Sequence, residues 1–177
     1  DAAVIRLPDS LRAVALACDG NGRYGSLDPY LAGGHAVAEA ARNVAAVGAR
    51  PVAVTNCLNF GNPERPEVMW AFVEAVRGLG DACRGLGTPV TGGNVSLYNA
   101  TAAGAIPPTP MVGAIGVVDD VGRVPRGELT NELVLVLLGT PSAKPSASVY
   151  GRVATGQLAG GAVQVDLAAD RRLATLL

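Results

Sequence analysis

The sequence predicts an α+β fold, layered as in α/β proteins, with two helices on a sheet of four strands. Two long segments carry apolar residues at helical spacing, and four short apolar segments are bounded by Gly and Pro. Along the chain these segments come in the order strand, helix, strand, helix, strand, strand. A length of 177 residues is enough for one such domain and part of a second.

The elements follow from local patterns. Strands are predicted at residues 12–18, 51–55, from 89 and at 111–118. The helices are predicted at 35–47 and 66–85, with Gly33 and Gly34 just before the first and Pro66 opening the second. An apolar stripe at helical spacing marks the buried side of the second helix: Met69, Phe72, Val76 and Leu79.

A change of composition after residue 122 predicts a second unit. Residues 1–122 form the first domain, 123–131 a linker, and 132–177 the start of an incomplete second α/β domain. In this second unit, residues 133–138 read as a buried strand and residues 166–177 as a helix. With Asp1 at its start and no stop signal after this helix, the chain reads as a piece of a larger protein.

Composition narrows the class of function. There are 14 Lys and Arg against 15 Asp and Glu, so no basic excess suggests nucleic acid. No apolar run reaches the roughly 18 residues of a membrane span, and no signal peptide opens the chain. Three isolated cysteines read as buried free thiols in the cytoplasm: Cys18, Cys57 and Cys83. Two matches to the glycosylation pattern, at Asn94 and Asn99, are therefore interpreted as coincidence.

Polar loops follow three of the predicted strands, at residues 19–21, 56–62 and 92–99. Loops at strand ends gather ligands in α/β architectures, so we expect the three to converge on one site. The pair Gly92 and Gly93 is expected to break its strand and to let a ligand approach the backbone closely.

Five motifs then occur in order at compact spacing. They are DGNG from Asp19, EAARNVA from Glu39, CLNFGNP from Cys57, GTPVTGGNVSLYN from Gly87 and PTPMVG from Pro108. Together they resemble the large subunit of phosphoribosylformylglycinamidine synthase in its short bacterial form, over residues 12–140 and in the second of its two repeated halves. That family belongs to the aminoimidazole ribonucleotide synthetase superfamily, whose fold pairs two such domains through their sheets around a shared active site.

The resemblance implies an ATP-dependent carbon–nitrogen ligase of purine biosynthesis. Formylglycinamide ribonucleotide, ATP and glutamine-derived ammonia would give formylglycinamidine ribonucleotide, ADP and phosphate, with Mg²⁺ offsetting the polyphosphate charge. Its partners would be a glutaminase subunit and a small bridging subunit. The family's catalytic histidine motif has no counterpart in this segment, so the segment alone is expected to be inactive, and it is expected to self-associate through its sheet.

The resemblance also implies roles for particular residues. Asn94 matches a magnesium ligand, Gly93 a glycine whose backbone lies against ATP, and Ser96 a serine that contacts the substrate. Asn56 stands where the family commonly has an aspartate that contacts ATP, which removes a negative charge. A further set matches an auxiliary nucleotide–magnesium site of long-form relatives: Asp19, Glu39 and Asn43.

Alternative readings remain for the chain and for single residues. The chain could be another ATP-using enzyme of the superfamily, or a structural half whose nucleotide only makes it rigid. Asp19, Glu39 and Asn43 could equally form a structural network. His35 and Glu39 are spaced as a helical pair, but two ligands do not make a metal site. Cys57 has no adjacent base in the sequence that would make it a nucleophile.

Overall fold

The computed structural model describes residues 2–125, 127, 133–139, 147–158 and 160–177. Within these ranges it contains seven strands, five α-helices and a short 3₁₀ helix at Val121–Arg123. The strands are β1 (Ala3–Arg6), β2 (Ala13–Asp19), β3 (Arg50–Asn59), β4 (Val90–Ser96), β5 (Ala100–Thr101), β6 (Gly104–Ala105) and β7 (Thr109–Val118). The helices are α1 (Gly22–Leu27), α2 (Pro29–Ala46), α3 (Pro66–Leu86), α4 (Val149–Thr155) and α5 (Leu167–Leu176).

The main sheet confirms the predicted fold class and adds one strand. Its order is β1-β2-β7-β3-β4, so it has five strands rather than four. Only β3 and β4 pair in parallel, whereas the other neighbours are antiparallel. The added strand, β1, was missed because a four-residue edge strand is too short to show a periodic pattern.

Helices α2 and α3 cover one face of this sheet. The core between them consists mostly of small side chains, together with Val37, Val44, Val54, Leu58 and Phe60. Alternate residues of β2 and β7 point away from the helices and form what we call the open face, which carries Leu16, Cys18 and Met111. Leu16 and Met111 remain 40% and 38% exposed.

Helix α2 begins six residues earlier than the sequence predicted. Asp28 caps it by accepting from the Leu31 backbone N–H at 2.9 Å, and Pro29 occupies the first turn. The prediction that Gly33 precedes the helix is therefore wrong, and the same holds for Gly34. Gly33 lies where α2 crosses α3, and a Cβ there would overlap the Ala75 carbonyl oxygen. Tertiary packing thus overrides the low helix propensity of glycine.

Helix α3 agrees with its predicted range and ends at Gly87, which has a φ of 73°. That left-handed conformation is the usual reason for glycine at this position. Its predicted buried stripe is only half correct. Leu79 is buried and Phe72 packs against the core, but Met69 and Val76 are 42% and 41% exposed.

The second unit differs from its prediction at residues 133–138. They form no strand, and each of their side chains is at least half exposed, because no described strand runs beside them. Helix α5 matches its predicted position and packs on α2 and α3, with Asp170 bonded to Arg42 at 2.8 Å. The domain boundary stays a prediction, since most of the linker at 123–131 lies outside the described residues.

The cysteines are free, but they are not all buried as predicted. Cys83 is buried, whereas Cys57 is half-buried and Cys18 is exposed on the open face. The apolar neighbours of Cys18 in sequence lie on both faces of β2, so they do not enclose it. None of the described helices is long and apolar enough to cross a membrane.

Candidate functional site

The three polar loops lie at one edge of the sheet. Strands β2 and β3 both run antiparallel to β7, and β4 is parallel to β3, so β2, β3 and β4 share one direction. Their carboxyl ends therefore meet at the same edge, as the sequence analysis expected. Strand β7 separates the end of β2 from the other two by roughly 10 Å, which divides the edge into two groups of residues.

The first group lies on β3 and β4, and both strands are longer than predicted. Strand β3 runs through Asn59, so Asn56 lies in the strand and not in a loop. Strand β4 continues through Gly92 and Gly93 as far as Ser96, so the glycine pair does not break it. Both expectations were wrong. Pairing with β4 and β7 extends β3 through Asn56, and parallel pairing with β3 keeps the glycine pair extended.

Gly93 and Asn56 are register partners and lie in close contact. A Cβ at Gly93 would overlap the Asn56 side chain and its carbonyl oxygen, whereas a Cβ at Gly92 would meet nothing within 4 Å. Glycine is therefore required at position 93 by the approach of the neighbouring strand. The same lack of a side chain leaves the Gly93 backbone accessible to a ligand on the exposed strand.

Asn94 lies on the open face. Its register partner is Cys57, which in turn pairs with Met111 of that face. Because side chains alternate along a strand, Asn94 and Ser96 share one face and Asn56 faces the other. Strand β4 is the last strand of the sheet and Asn94 is exposed, so its side chain is available to a ligand or to another part of a larger protein.

Ser96 is held by a residue to which the sequence analysis gave no role. The Asn99 side-chain amide donates to the Ser96 carbonyl oxygen at 2.9 Å and to Ser96 Oγ at 3.0 Å. The same amide donates to the Phe60 carbonyl oxygen at 3.1 Å, which ties the ends of β3 and β4 together. The spacing of Ser96 and Asn99 in the fourth motif is the signal that could have identified this network.

The second group of predicted residues lies beside α2. Asp19 and Glu39 line a small cavity of about 60 Å³, and Asn43 Nδ2 donates to Asp19 Oδ2 at 3.2 Å. The other Asp19 oxygen accepts from the Gly20 backbone N–H at 2.9 Å. The structure thus brings all three predicted residues together. Two carboxylates and an amide oxygen are ligands that Mg²⁺ accepts, so this donor set fits the ion.

His35 lines the same cavity but is engaged elsewhere. Its Nε2 lies 2.6 Å from the Val163 carbonyl oxygen, and its ring packs against Tyr24 at 4.8 Å between centroids. One ring nitrogen of His35 is therefore engaged by a backbone carbonyl oxygen. Among the described residues no group of three or more His, Cys, Asp and Glu side chains is placed to hold a metal.

A further cavity lies away from both groups. It measures about 490 Å³, lies between α2, α3 and α5, and contains Arg42 and Asp170 but none of the predicted site residues.

Near β4, the negative charge of Glu64 raises the pKa of Tyr98, whose hydroxyl oxygen lies 3.3 Å from the Glu64 carboxylate. That pair lies where the strand ends, beyond Ser96.

A sheet with helices on one face, and with polar groups at the ends of three co-directional strands, defines an α+β domain with a candidate binding edge. Residues 1–118 match the family described as AIR synthase related protein, N-terminal domain. The chain therefore belongs to the AIR synthase related family, of which it contains the N-terminal domain. The family resemblance seen in the five motifs is confirmed.

Named relatives cover the whole chain. It is 54% identical to the phosphoribosylformylglycinamidine synthase subunit PurL of Thermobifida fusca over 180 residues, all of this chain and 24% of that protein. The Thermotoga maritima PurL structures with ATP and with FGAR are both 35% identical. They match at TM-scores of 0.64 and 0.65, covering 71% and 72% of this chain and 21% and 20% of theirs. The chain thus spans about a quarter of the length of the curated relatives it matches.

Proposed function

We propose that this chain is one wall of the active site of a phosphoribosylformylglycinamidine synthase, a ligase that uses ATP. The observation that carries the proposal is strand β4, which lies exposed at the edge of the sheet. Gly93, Asn94 and Ser96 follow one another along it. Identity of 54% to a PurL subunit, and likeness to PurL structures with ATP and FGAR, support the same function.

In this reaction the γ-phosphoryl group of ATP would pass to the glycinamide carbonyl oxygen of formylglycinamide ribonucleotide, and ADP would leave. Ammonia then adds at the same carbon, and phosphate departs as the amidine forms. The chain's own residues would bind and orient the reactants. The Gly93 backbone and Asn56 would contact ATP, and Ser96, held by Asn99, would contact the ribonucleotide.

Mg²⁺ would neutralise charge on the polyphosphate, and Asn94 would supply one of its oxygen ligands. Among the described residues, no group of three or more His, Cys, Asp and Glu side chains is placed to hold a metal beside Asn94. The rest of that coordination shell would therefore come from another part of the enzyme. The open face supports this arrangement, because Leu16 and Met111 present apolar surface where a second sheet would pair.

We further propose that Asp19, Glu39 and Asn43 hold an auxiliary nucleotide through Mg²⁺. The cavity lined by Asp19 and Glu39, with Asn43 bonded to Asp19, supports this second site, which lies on the helix side of the sheet. A purely structural network would leave nucleotide binding unchanged in a Glu39→Gln enzyme. The proposal predicts instead that this variant loses a tightly bound nucleotide that native mass spectrometry detects in the unmodified enzyme.

The assembled enzyme would include a glutaminase subunit and a small bridging subunit. It would be located in the cytoplasm. The T. maritima PurLQS structure, matched at a TM-score of 0.66, supports a complex of this kind. The three free cysteines support a reducing compartment. Residues 1–177 alone would self-associate through the open face, which light scattering at increasing concentration would detect as a rise in mean mass.

The experiment compares the full-length enzyme with residues 1–177 alone, using formylglycinamide ribonucleotide, ATP and ammonia. The full-length enzyme should form the amidine and release phosphate. Residues 1–177 should form none, although circular dichroism shows them folded, because they supply only one wall of the site. Amidine formation by residues 1–177, or none by the full-length enzyme, would overturn the proposal.

A further inference from the structure

Tyr98 has a backbone conformation that its side chain disfavours. Its φ is 59°, in the left-handed region, immediately after β4. Among the described residues only Asp9 and Ala147 share this property without being glycine. Glycine adopts such a φ freely, whereas a bulky residue does so under strain. Strained residues of this kind concentrate at ligand-binding and active sites.

The contacts that hold this turn do not use the tyrosine ring. The Tyr98 backbone N–H donates to the Gly61 carbonyl oxygen at 2.9 Å, and the Asn99 N–H donates to the Phe60 carbonyl oxygen at 3.1 Å. Any residue would make these backbone bonds, and glycine would make them without strain. The ring itself is 60% exposed, so core packing does not explain it either.

One end of the side chain is nevertheless fixed. The Tyr98 hydroxyl donates to Glu64 Oε1 at 3.3 Å across the gap between the ends of β3 and β4. Glu64 is held in turn, because its backbone N–H donates to Asn62 Oδ1 at 2.8 Å. The ring is thus presented at the edge of the sheet with its hydroxyl beside a carboxylate.

The position of Tyr98 along the chain indicates which reactant it meets. Tyr98 follows Ser96 by two residues and Gly93 by five, and its backbone N–H donates to the Gly61 carbonyl oxygen beyond the end of β3. In the proposed active site the Gly93 backbone contacts ATP and Ser96 contacts the ribonucleotide. Tyr98 therefore lies at the ribonucleotide end, on the side away from ATP.

We propose that Tyr98 and Glu64 together bind the ribose of the ribonucleotide substrate. The carboxylate accepts hydrogen bonds from sugar hydroxyls, and the ring covers the apolar face of the sugar. The phosphate end is excluded as the contact, because the Glu64 carboxylate would repel it. This inference rests on the proposed function, since it assumes the ribonucleotide as the ligand of Ser96.

The test is Tyr98→Gly in the full-length enzyme. Glycine keeps the turn and relieves the strain, so the midpoint of thermal unfolding should stay equal or rise. The KM for the ribonucleotide should rise by about tenfold or more, with kcat and the KM for ATP changed by less than about twofold. Tyr98→Phe, which removes only the hydroxyl, should raise the same KM by a smaller factor.

Asp9→Gly is the matched control, because Asp9 has a φ of 51° in the turn between β1 and β2. It should relieve the same kind of strain without changing either KM. An active Tyr98→Gly enzyme with unchanged KM for the ribonucleotide overturns the inference and leaves the proposed function intact. A loss of thermal stability with both KM values raised means that Tyr98 only holds the turn, and it also overturns the inference. If the unmodified enzyme forms no amidine, both proposals fail.

Discussion

Asn99 holds Ser96 in place by donating to its backbone carbonyl oxygen at 2.9 Å and to its Oγ at 3.0 Å. The amide thereby fixes both the turn after β4 and the direction of the serine hydroxyl. The substrate contact proposed for Ser96 would depend on this support, in the way that outer partners orient ligands at other sites.

Asn99→Ala removes this support. We expect the KM for the ribonucleotide to rise about 10-fold to 100-fold, and stability to fall by about 1–3 kcal/mol because the Phe60 and Ser96 carbonyl groups lose a donor. Steady-state kinetics and urea unfolding would measure the two effects. Asp28→Ala, which removes the cap of α2, should cost about 1 kcal/mol without any change in KM. Equal kinetic effects from both variants would contradict the role given to Asn99.

Gly93 and Gly92 offer a matched pair. Gly93→Ala should destabilise the enzyme and raise the KM for ATP, because a Cβ at that position would overlap Asn56 and push β4 away from β3. Gly92→Ala should have little effect on either quantity, since its Cβ would meet nothing within 4 Å. Thermal unfolding and ATP kinetics distinguish the two variants. If Gly93→Ala changed neither thermal stability nor the KM for ATP, the close contact between Gly93 of β4 and Asn56 of β3 would be contradicted.

Sequence reasoning recovered the fold class because apolar spacing indicates the two main helices and four of the five strands of the main sheet. It failed where a tertiary contact decides the local structure. Gly33 reads as a helix breaker but lies inside α2, because close crossing with α3 requires a residue without a side chain. Asn56 reads as part of a loop but lies in β3, because pairing on both sides extends that strand.

The candidate site was predictable only in part, for the same reason. The motifs identified Asn94 and Ser96, and the structure places them on one face of β4. The bonds from Asn99 to Ser96 join residues three apart, which the motif could have indicated, but the bond to the Phe60 carbonyl oxygen spans 39 residues, and no local pattern reveals it. The strain at Tyr98 is likewise a property of its dihedral angle, which composition does not report.

The Tyr30–Asp81 bond predicts a pH dependence of stability. The Tyr30 hydroxyl donates to Asp81 Oδ2 at 2.7 Å, and this bond, followed by the one from Arg84, lowers the pKa of Asp81 from 3.8. A lowered pKa in the folded state adds stability that is fully present above the unfolded pKa. That stability is lost as the pH falls through the folded value.

Tyr30→Phe should therefore be less stable than the unmodified chain at pH 7, and the difference should shrink as the pH falls below the ordinary Asp value of 3.8. Urea unfolding at several pH values measures it. Tyr150→Phe is the matched control, because Tyr150 is 74% exposed on α4 and should show no such difference. A difference for Tyr30→Phe that is the same at every pH would contradict the assignment to Asp81.

Cys18 reports on the pairing of sheets. It is exposed on the open face, whereas Cys83 is buried and its burial raises the pKa of its thiol. In residues 1–177 at low concentration, a thiol reagent should label Cys18 quickly and Cys83 slowly. In the full-length enzyme Cys18 should become protected, because a second sheet covers the open face, while Cys83 stays slow. Equal labelling of Cys18 in both would contradict pairing through this face.

The most direct test of the shared active site is the Mg²⁺ dependence of turnover in a full-length Asn94→Ala enzyme. We predict that kcat/KM falls by about 100-fold or more and that more Mg²⁺ is needed for half-maximal rate. Thr91→Ala, on the same strand outside the site, should leave both quantities unchanged. Normal turnover and normal Mg²⁺ dependence in the Asn94→Ala enzyme would contradict the proposal that Asn94 binds Mg²⁺ in the active site. This half of the protein would then have only a structural role.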